Sequence, residues 1–244
     1  MLIESVDNKK IKYIKKLRDN KFIKKEKKFI VEGEHLVTEA LSMGFLLSVV
    51  KLEGYDKSYN VPEIIVKENV MKSISLMNSI PKVIGICKVI EESSILGNRI
   101  IILDDVQDPG NIGTIIRSAK AFNFTSVILS LSSVSKYNYK VIRATGGMLF
   151  KTNIITRNLL DFIPLLKEKG YKIYSTNVNN GVDVKNIDKN DKIAVIVGNE
   201  GCGVSDSISK LADENLYINM DSNCESLNVS VAASIIMYEL GGLR

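Results

Sequence analysis

The chain has 244 residues, of which 45% are hydrophobic and 25% are charged. This balance is typical of a folded globular protein with a sizeable core, and it excludes a largely disordered chain. No apolar run approaches the ~18 residues that cross a bilayer, and the opening MLIESVDNKK lacks the apolar stretch of a secretion signal. We therefore expect a cytoplasmic protein with no membrane anchor.

The few cysteines and the single histidine limit the chemistry that the chain can carry out. Cys87, Cys202 and Cys224 are widely spaced and form no CxxC pair, which argues against a disulfide framework and against a zinc site. His35 is the only histidine, so a Ser-His-Asp site would have a single possible base. We expect neither a metal site nor a triad of this kind.

Basic residues are concentrated at the N-terminal end of the chain. Residues 1–30 contain 11 Lys or Arg and 4 Asp or Glu, whereas the whole chain contains 33 and 28. A lysine-rich segment of this kind either holds a phosphate backbone by charge, which salt weakens, or forms only a solvated helix surface. Charge alone leaves both readings open. The lysines that we expect to contact a nucleic-acid backbone are Lys10, Lys15, Lys24 and Lys28.

The first part of the chain alternates short helical and strand-like segments. Between residues 8 and 29, Ile11, Ile14 and Leu17 recur at helical spacing among lysines, which predicts one basic amphipathic helix. The segments predicted after it are an apolar entry at FIV, a helix after Gly33, strands at 46–52 and 63–66, a helix at 70–77 and a strand at 83–89. Together they predict a small α/β domain in residues 1–92.

The pattern changes after the polar, turn-rich segment IEESSILGNR at residues 90–99, which is the best candidate for a linker. Beyond it, helical segments or loops separate apolar runs that are typical of strands. These runs lie at residues 100–104, 126–129, 172–176 and 193–197. Strands spaced by helices predict a mostly parallel sheet with helices on both faces. We expect this second α/β domain to span residues 98–244.

Three turns that each follow a predicted strand carry the residues of greatest chemical interest. Ligands of open parallel sheets bind beyond the carboxyl ends of the strands, so the shared position of these turns is itself a functional indication. The first turn, in ILDDVQDPGNIGTIIRSAKAF, enters a helix whose apolar face leaves Arg117 on another side. Its spacing matches neither a dinucleotide fingerprint nor a phosphate-binding loop with its lysine. Taken alone, Asn111 is a helix cap and Arg117 is a surface arginine.

The second turn, in IAVIVGNEGCGVSDSI, is rich in glycine. Gly198, Gly201 and Gly203 surround Asn199 and Glu200 directly after a fully apolar strand. Glycines allow positive φ angles and a close approach of the backbone to a ligand. A tight turn between strand and helix explains one or two of these glycines, but it explains the enclosed Asn-Glu pair less well.

The third turn lies in LYINMDSNCESLNVSVAASIIMYEL, between a short strand and a C-terminal helix. Ser226 and Asn228 fall where that helix begins, a position at which polar side chains cap backbone N–H groups. Taken singly, each would be a cap. The apolar face predicted for the helix consists of Val229, Ala232, Ala233, Ile236 and Leu240.

Together the three segments resemble the sequence motifs of the SpoU (TrmH) family of RNA ribose 2'-O-methyltransferases. The motif Asn-x-Gly-x-x-x-Arg corresponds to residues 111–117, Gly-Asn-Glu-Gly-x-Gly to 198–203, and Glu-Ser-Leu-Asn-Val-Ser-Val-Ala to 225–232. They occur in the family's order. KVIRATGGMLFKTNI is similar to the family's connecting segment, and FIVEGEHLVTEAL is similar to its RNA-binding N-terminal domain. The resemblance therefore covers nearly the whole chain.

The resemblance implies an N-terminal RNA-binding domain and a SPOUT-type catalytic domain, whose mostly parallel sheet contains a trefoil knot. It implies S-adenosylmethionine as the cofactor, a homodimer, and ribosomal RNA as the substrate in preference to tRNA. The residues that it assigns to catalysis are Arg117, Asn111, Glu200, Ser226 and Asn228. The residues that it assigns to the cofactor are Thr176, Gly198, Asn199, Gly203, Ile218, Met220 and Leu227.

The family gives the central role in methyl transfer to the arginine of the first motif, here Arg117, sometimes as the base. An arginine side chain stays protonated at ordinary pH, so we expect Arg117 to hold phosphate and to stabilise the developing alkoxide. Asn111 would orient Arg117 or the RNA, and Ser226 and Asn228 would line the cleft where ribose meets the methyl group. Glu200 would help to shape that cleft.

The sequence departs from the family pattern where Ile218-Asn219-Met220 replaces the usual Ile-Pro-Met, a change that affects loop shape rather than the class of reaction.

Three alternative functions are open at this point. The enzyme could act on tRNA, or the chain could be an RNA-binding adaptor without catalysis, although its intact motif residues speak against that. A nucleotide-dependent oxidoreductase would need the dinucleotide fingerprint after the first strand, which is missing.

Overall fold

The computed structural model of the chain describes residues 2–178, 181–188 and 192–241. The first elements in chain order are β1 (Leu2–Ile3), α1 (Lys9–Lys16), α2 (Asn20–Glu26), β2 (Lys28–Glu32), α3 (Glu34–Ser42), β3 (Leu46–Leu52), β4 (Glu63–Val66), α4 (Glu68–Ile74) and β5 (Val83–Lys88). They are followed by β6 (Arg99–Leu103), α5 (Pro109–Ala121), β7 (Ser126–Ser130), α6 (Tyr139–Ala144), β8 (Asn153–Arg157), α7 (Leu159–Glu168), β9 (Tyr171–Thr176), β10 (Val182–Asp183), β11 (Lys192–Val197), α8 (Asp206–Ser209), β12 (Glu214–Tyr217) and α9 (Val229–Leu240).

The chain divides into two compact units. The first consists of Met1–Glu91 and Tyr137–Lys151, and the second of Glu92–Lys136 and Thr152–Arg244. The division after Glu91 falls close to the linker predicted at residues 90–99. The segment Tyr137–Lys151, inside the predicted second domain, packs in the first unit, where the rings of Tyr137 and Phe29 lie 4.7 Å apart.

The first unit contains a mixed five-stranded sheet in the order β1-β4-β3-β5-β2. β5 pairs antiparallel with β2 and with β3, and the remaining pairs are parallel. One face of this sheet buries the apolar residues of α1 and α4, among them Ile11, Ile14 and Met71. The strand predicted at 46–52 and the strand predicted at 63–66 are present at those bounds.

The single helix predicted between residues 8 and 29 is wrong. The chain forms α1 and α2 instead and then enters β2. The break has a local cause, since the carboxylate of Asp19 accepts a hydrogen bond from the backbone N–H of Phe22 at 2.9 Å and caps α2. Lys27 then adopts a left-handed conformation with φ 54°, which ends α2. The apolar residues that suggested one helix are divided between two helices, and Ile11 of α1 and Ile23 of α2 are both buried.

The second unit contains a seven-stranded sheet in the order β10-β12-β9-β11-β6-β7-β8, and every pair in it is parallel. This confirms the predicted mostly parallel α/β fold. The four predicted strands match β6, β7, β9 and β11 to within one residue at each end. Helices α5 and α9 contact each other, with the hydroxyls of Ser118 and Ser234 2.8 Å apart. Among the described residues, no helix is long and apolar enough to span a membrane.

Candidate active site

The site of the second unit is built from loops at one edge of its parallel sheet. Strands β12, β9, β11 and β6 are neighbours in that order, and all run in the same direction. The loops after them, which begin at residues 218, 177, 198 and 104, therefore leave the sheet at the same edge. Open parallel sheets bind their ligands at this edge.

The loop after β11 folds back on itself as a glycine turn, residues 198–203. The backbone N–H of Asn199 donates to the carbonyl of Gly203, and the N–H of Gly203 donates to the carbonyl of Asn199, both at 2.9 Å. The Asn199 side-chain oxygen accepts from the N–H of Gly201 at 2.9 Å, which fills the interior of the turn. Gly203 has φ 72°, a left-handed value that side chains disfavour.

Gly198 is required for a different reason, which is crowding. A Cβ built on Gly198 would lie 2.0 Å from the carbonyl carbon of Gly203 and 2.1 Å from the backbone nitrogen of Val204. Real Cβ atoms do not approach backbone this closely, so the turn closes only with glycine at this position. Gly201 differs, because a Cβ there would meet only the side-chain oxygen of Asn199, at 3.6 Å.

Glu200, in the middle of the glycine turn, holds the start of α5. Its carboxylate accepts hydrogen bonds from the backbone N–H of Asp108 at 2.9 Å, from the N–H of Gln107 at 3.2 Å and from Nδ2 of Asn111 at 3.0 Å. Partial burial acts to raise the pKa of Glu200, but these hydrogen bonds outweigh it and hold the pKa below its ordinary value. The charged carboxylate therefore joins the second motif to the first.

Asn111 and Asn228 complete this connection. Nδ2 of Asn228 donates to Oδ1 of Asn111 at 3.1 Å, and Oδ1 of Asn228 caps α9 by accepting from the N–H of Ser230 at 2.9 Å. The cap expected at Asn228 is thus present. Asn111 is not the cap of α5, which begins two residues earlier at Pro109 and is capped by Asp108. The side chain of Asn111 is buried, and it bridges Glu200 and Asn228 instead.

Sequence reasoning missed a second connection, between the end of β6 and the glycine turn. The buried carboxylate of Asp104 accepts from both the backbone N–H and the hydroxyl of Ser205, at 2.9 and 2.7 Å. Nδ2 of Asn199 donates to the backbone carbonyl of Asp105 at 2.9 Å. An acidic residue at the carboxyl end of a buried strand was the available signal, because such a group needs hydrogen-bond donors nearby.

The loops after β9, β11 and β12, together with helix α9, line a cavity of about 500 Å³. All seven residues assigned to the cofactor line it: Thr176, Gly198, Asn199, Gly203, Ile218, Met220 and Leu227. Three of the residues assigned to catalysis also line it, namely Glu200, Ser226 and Asn228. Asn219, which stands where the family has proline, is exposed between two lining residues and does not line the cavity itself.

Two groups of residues from the sequence analysis do not line this cavity. Arg117 is exposed on α5, six residues or about 9 Å along the helix axis from Asn111, and does not line the cavity. The lysines expected to contact nucleic acid lie in the first unit: Lys10 and Lys15 on α1, Lys24 on α2 and Lys28 in β2. Among the described residues, no cluster of His, Cys, Asp or Glu side chains is arranged to hold a metal ion.

Comparison with known proteins identifies both parts of the chain. Residues 98–238 match the SpoU rRNA Methylase family, and residues 8–85 match the MRM3-like substrate binding domain. The chain is 34% identical to 23S rRNA (guanosine(2553)-2'-O)-methyltransferase RlmP of Bacillus subtilis (strain 168), over 98% of this chain and 99% of that protein. It is 27% identical to a putative TrmH family tRNA/rRNA methyltransferase of Staphylococcus aureus (strain COL), over 86% of this chain and 94% of that one.

Solved structures resemble the chain over nearly its full length. An AdoMet-bound rRNA methyltransferase from Sinorhizobium meliloti is 27% identical, with a TM-score of 0.87, and the match covers 98% of this chain and 97% of that one. A protein from Porphyromonas gingivalis described as a putative RNA methyltransferase of the TrmH family is 25% identical, with a TM-score of 0.86, and the match covers 97% of this chain and 98% of that one. Because the matched family covers more than half of the residues and the match contains all three motifs, the chain belongs to the SpoU rRNA methylase family.

Proposed function

We propose that the protein transfers a methyl group from S-adenosylmethionine to a ribose 2'-hydroxyl of ribosomal RNA. The observation that carries this proposal is the cavity of the second unit, which ten of the twelve residues that the family resemblance assigns to cofactor and catalysis line together. Family membership and the relative that acts on 23S rRNA in Bacillus subtilis support the same reaction.

The cavity has the size and the lining that S-adenosylmethionine requires. Its volume of about 500 Å³ lies within the ~300–1,000 Å³ typical of small-molecule sites. The side chains of Ile218, Leu227 and Ile236 would offer apolar surface to a bound cofactor, and the glycine turn would offer backbone that a ligand can approach closely. The AdoMet-bound relative from Sinorhizobium meliloti supports this assignment. When bound, the cofactor supplies a methyl group activated by its sulfonium.

In this proposal some residues of the chain shape the site, and others stabilise the negative charge of the RNA and of the reacting oxygen. Glu200, Asn111 and Asn228 form one hydrogen-bonded line that fixes the mouth of the cavity, so they position other groups. Ser226 is exposed at that mouth, where the ribose would enter. Arg117 supplies a fixed positive charge for the RNA phosphate and for the alkoxide that forms as the 2'-hydroxyl passes its proton to solvent water.

RNA capture belongs, in this proposal, to the N-terminal domain, residues 1–92, and the chemistry to residues 98–244. The match to a substrate binding domain and the excess of basic residues in 1–30 support this division. Exposed lysines attract a phosphate backbone and release its counterions, which makes such binding sensitive to salt. Ribosomal RNA is favoured over tRNA because of the relative from Bacillus subtilis.

We also propose that the protein is a cytoplasmic homodimer whose C-terminal segment forms a trefoil knot. The support for all three features is the family resemblance, and the TM-score of 0.87 to the Sinorhizobium meliloti enzyme supports a shared fold. Light scattering at micromolar concentration should give twice the chain mass of 27.1 kDa. A monomer that retained activity would contradict the dimer.

The central experiment is a titration followed by a methylation assay. Calorimetry should show S-adenosylmethionine binding in the presence of a chelator, and the protein should transfer label from that cofactor to ribosomal RNA lacking its own modifications. Mapping 2'-O-methyl sites in a deletion strain then identifies the nucleotide. Binding without transfer to any RNA would favour the adaptor, transfer only to tRNA would replace the substrate, and absence of binding would contradict the enzyme.

A further inference from the structure

The first unit contains a second concave surface, which we call the lysine groove. It has a volume of about 350 Å³ and opens between α1 and the face of the mixed sheet. Its lining residues are Lys9, Lys10, Tyr13, Ile14, Lys28, Leu47, Ser48, Ile64 and Ile86. The groove therefore combines an apolar surface with an aromatic ring and three ammonium groups. All of its residues belong to the first unit.

The three ammonium groups are available for a ligand. Among the residues that the structure describes, Lys9, Lys10 and Lys28 have no carboxylate partner, whereas neighbouring Lys12 pairs with Asp7 at 2.8 Å. An uncompensated cluster of positive charge beside a concave surface attracts anions.

The strand pairing adds an independent observation. Lys28 of β2 lies directly opposite Lys88 of β5 in the antiparallel ladder. Like charges in this position destabilise a sheet unless a counter-charge lies near them. The Lys88 ammonium is placed over the ring of Phe45, 5.5 Å from its centroid, while the described structure shows no such partner for Lys28. A bound anion at the groove would remove the repulsion.

Tyr13 gives the groove a platform for a planar group. Its hydroxyl donates to Glu26 at 3.0 Å, and its ring packs at a steep angle against the ring of Phe22, with the centroids 5.6 Å apart, so two contacts hold the side chain in place. Ile64 and Ile86 supply an apolar surface in the same groove. Nucleobases that leave a stack bind to surfaces of this kind, since every base has a π-face and aromatic stacking tolerates different sequences.

We propose that the lysine groove binds one unstacked nucleotide of the RNA, with its base beside Tyr13 and its flanking phosphates at Lys9, Lys10 and Lys28. The inference rests on the proposed function, because it takes the substrate to be RNA, and it adds that the N-terminal domain reads a single-stranded segment. A double helix keeps its bases stacked and offers no base to a groove. The positive charge of the three lysines favours a polyanion as the ligand. The apolar surface beside the Tyr13 ring favours a nucleobase as the group that enters the groove.

The charge half of the proposal is tested on the full chain by fluorescence anisotropy with labelled single-stranded homo-oligoribonucleotides of A, C, G and U. Replacing Lys9, Lys10 and Lys28 by alanine should weaken binding at least ~10-fold and lower the salt slope by about 2, since each single-strand phosphate contributes ~0.7. The matched control replaces Lys67, Lys72 and Lys82, which are exposed in the same unit outside the groove, and should leave the slope unchanged.

The base half is tested without changing charge. Ser48→Phe fills the groove, and Ile65→Phe on the neighbouring strand β4 is its control outside the groove. Ser48→Phe should weaken single-strand binding ~10-fold while the salt slope stays the same, because the base loses its stacking contact and no phosphate contact changes. Tyr13→Leu, which keeps apolar volume and removes the ring, should have the same effect. Thermal unfolding confirms that each variant is folded.

Any of three results would overturn the proposal. The first is equal affinity of the wild-type protein for single-stranded and duplex RNA, and the second is unchanged RNA binding by the folded Ser48→Phe and Tyr13→Leu variants. The third is full displacement of RNA by polyglutamate that binds the same lysines, which would indicate an acidic protein partner. Calorimetry with S-adenosylmethionine on the same samples separates this proposal from the proposed function. If the groove variants bind both S-adenosylmethionine and RNA as the wild type does, only the proposal about the groove is contradicted. If the protein binds RNA through the groove but does not bind S-adenosylmethionine, only the proposed methyltransferase function is contradicted.

Discussion

Nδ2 of Asn228 donates a hydrogen bond to Oδ1 of Asn111 across 3.1 Å, and this contact joins the third sequence motif to the first. The orientation of both amides is determined by their other partners. The carboxylate of Glu200 can only accept, so it must face Nδ2 of Asn111, and the backbone N–H of Ser230 can only donate, so it must face Oδ1 of Asn228. All hydrogen bonds from Ser230 to Glu200 are therefore donated in the same direction, towards Glu200. A change in one of these residues also removes a hydrogen-bond partner from the next.

Replacing Asn111 by aspartate should break this line while keeping the shape of the side chain. The new carboxylate cannot donate to Glu200 and places a second negative charge beside it. Because Asn111 is only 9% exposed, we expect a loss of about 1–3 kcal/mol in the free energy of unfolding and weaker S-adenosylmethionine binding. Denaturant unfolding and calorimetry measure the two effects. The control is Asn69→Asp, an exposed amide that donates to the Glu4 carbonyl at 3.2 Å, and equal losses in both variants would contradict the role of Asn111.

Two of the three glycines in the glycine turn, Gly198 and Gly201, should respond differently to replacement by alanine. Gly198→Ala introduces a Cβ 2.0 Å from the Gly203 backbone, so we expect a loss of about 1–3 kcal/mol or more in stability and loss of cofactor binding. Gly201→Ala meets only the side-chain oxygen of Asn199 at 3.6 Å and should retain both properties. Thermal unfolding with and without S-adenosylmethionine compares the variants directly. Normal binding by Gly198→Ala would show that the turn tolerates opening.

Arg117→Ala should separate cofactor binding from catalysis. Arg117 is exposed and does not line the cavity, so calorimetric affinity for S-adenosylmethionine should stay close to wild type. Methyl transfer to RNA should fall by at least ~10²-fold, as is typical when one stabilising donor is removed. Arg117→Lys should also be poor, because a point charge does not reproduce a planar fork of donors. Loss of cofactor binding together with activity would indicate a structural arginine instead.

Acid should disrupt the glycine turn through Glu200. Its pKa lies below the ordinary 4.5, so the folded state favours the charged carboxylate, and this contribution is present above pH ~4.5 and lost as pH falls through the lowered pKa. We expect S-adenosylmethionine binding to hold at neutral and mildly acidic pH and to weaken below 4.5. Glu200→Gln should bind weakly at every pH and lack this step. An identical pH profile in both proteins would assign the step to another group.

The sequence alone determined the class of fold, the family and half of the residues that line the cavity. An apolar run such as 193–197 predicts a buried parallel strand without any knowledge of its neighbours, because a strand that is buried on both faces is apolar at every position. The three motifs could be found for a similar reason, since each is a continuous segment. The glycine content of 198–203 likewise indicated a close turn before any partner was known.

Only the tertiary structure decided what those residues touch. Asn111 was indistinguishable from a helix cap until Glu200 and Asn228, 89 and 117 positions away, were brought to it by neighbouring strands. The break at Asp19 and the packing of 137–151 into the first unit also escaped the pattern of apolar residues. Periodicity reports which side of an element is buried, whereas hydrogen bonds between distant loops depend on strand order, which the spacing of residues along the chain does not encode.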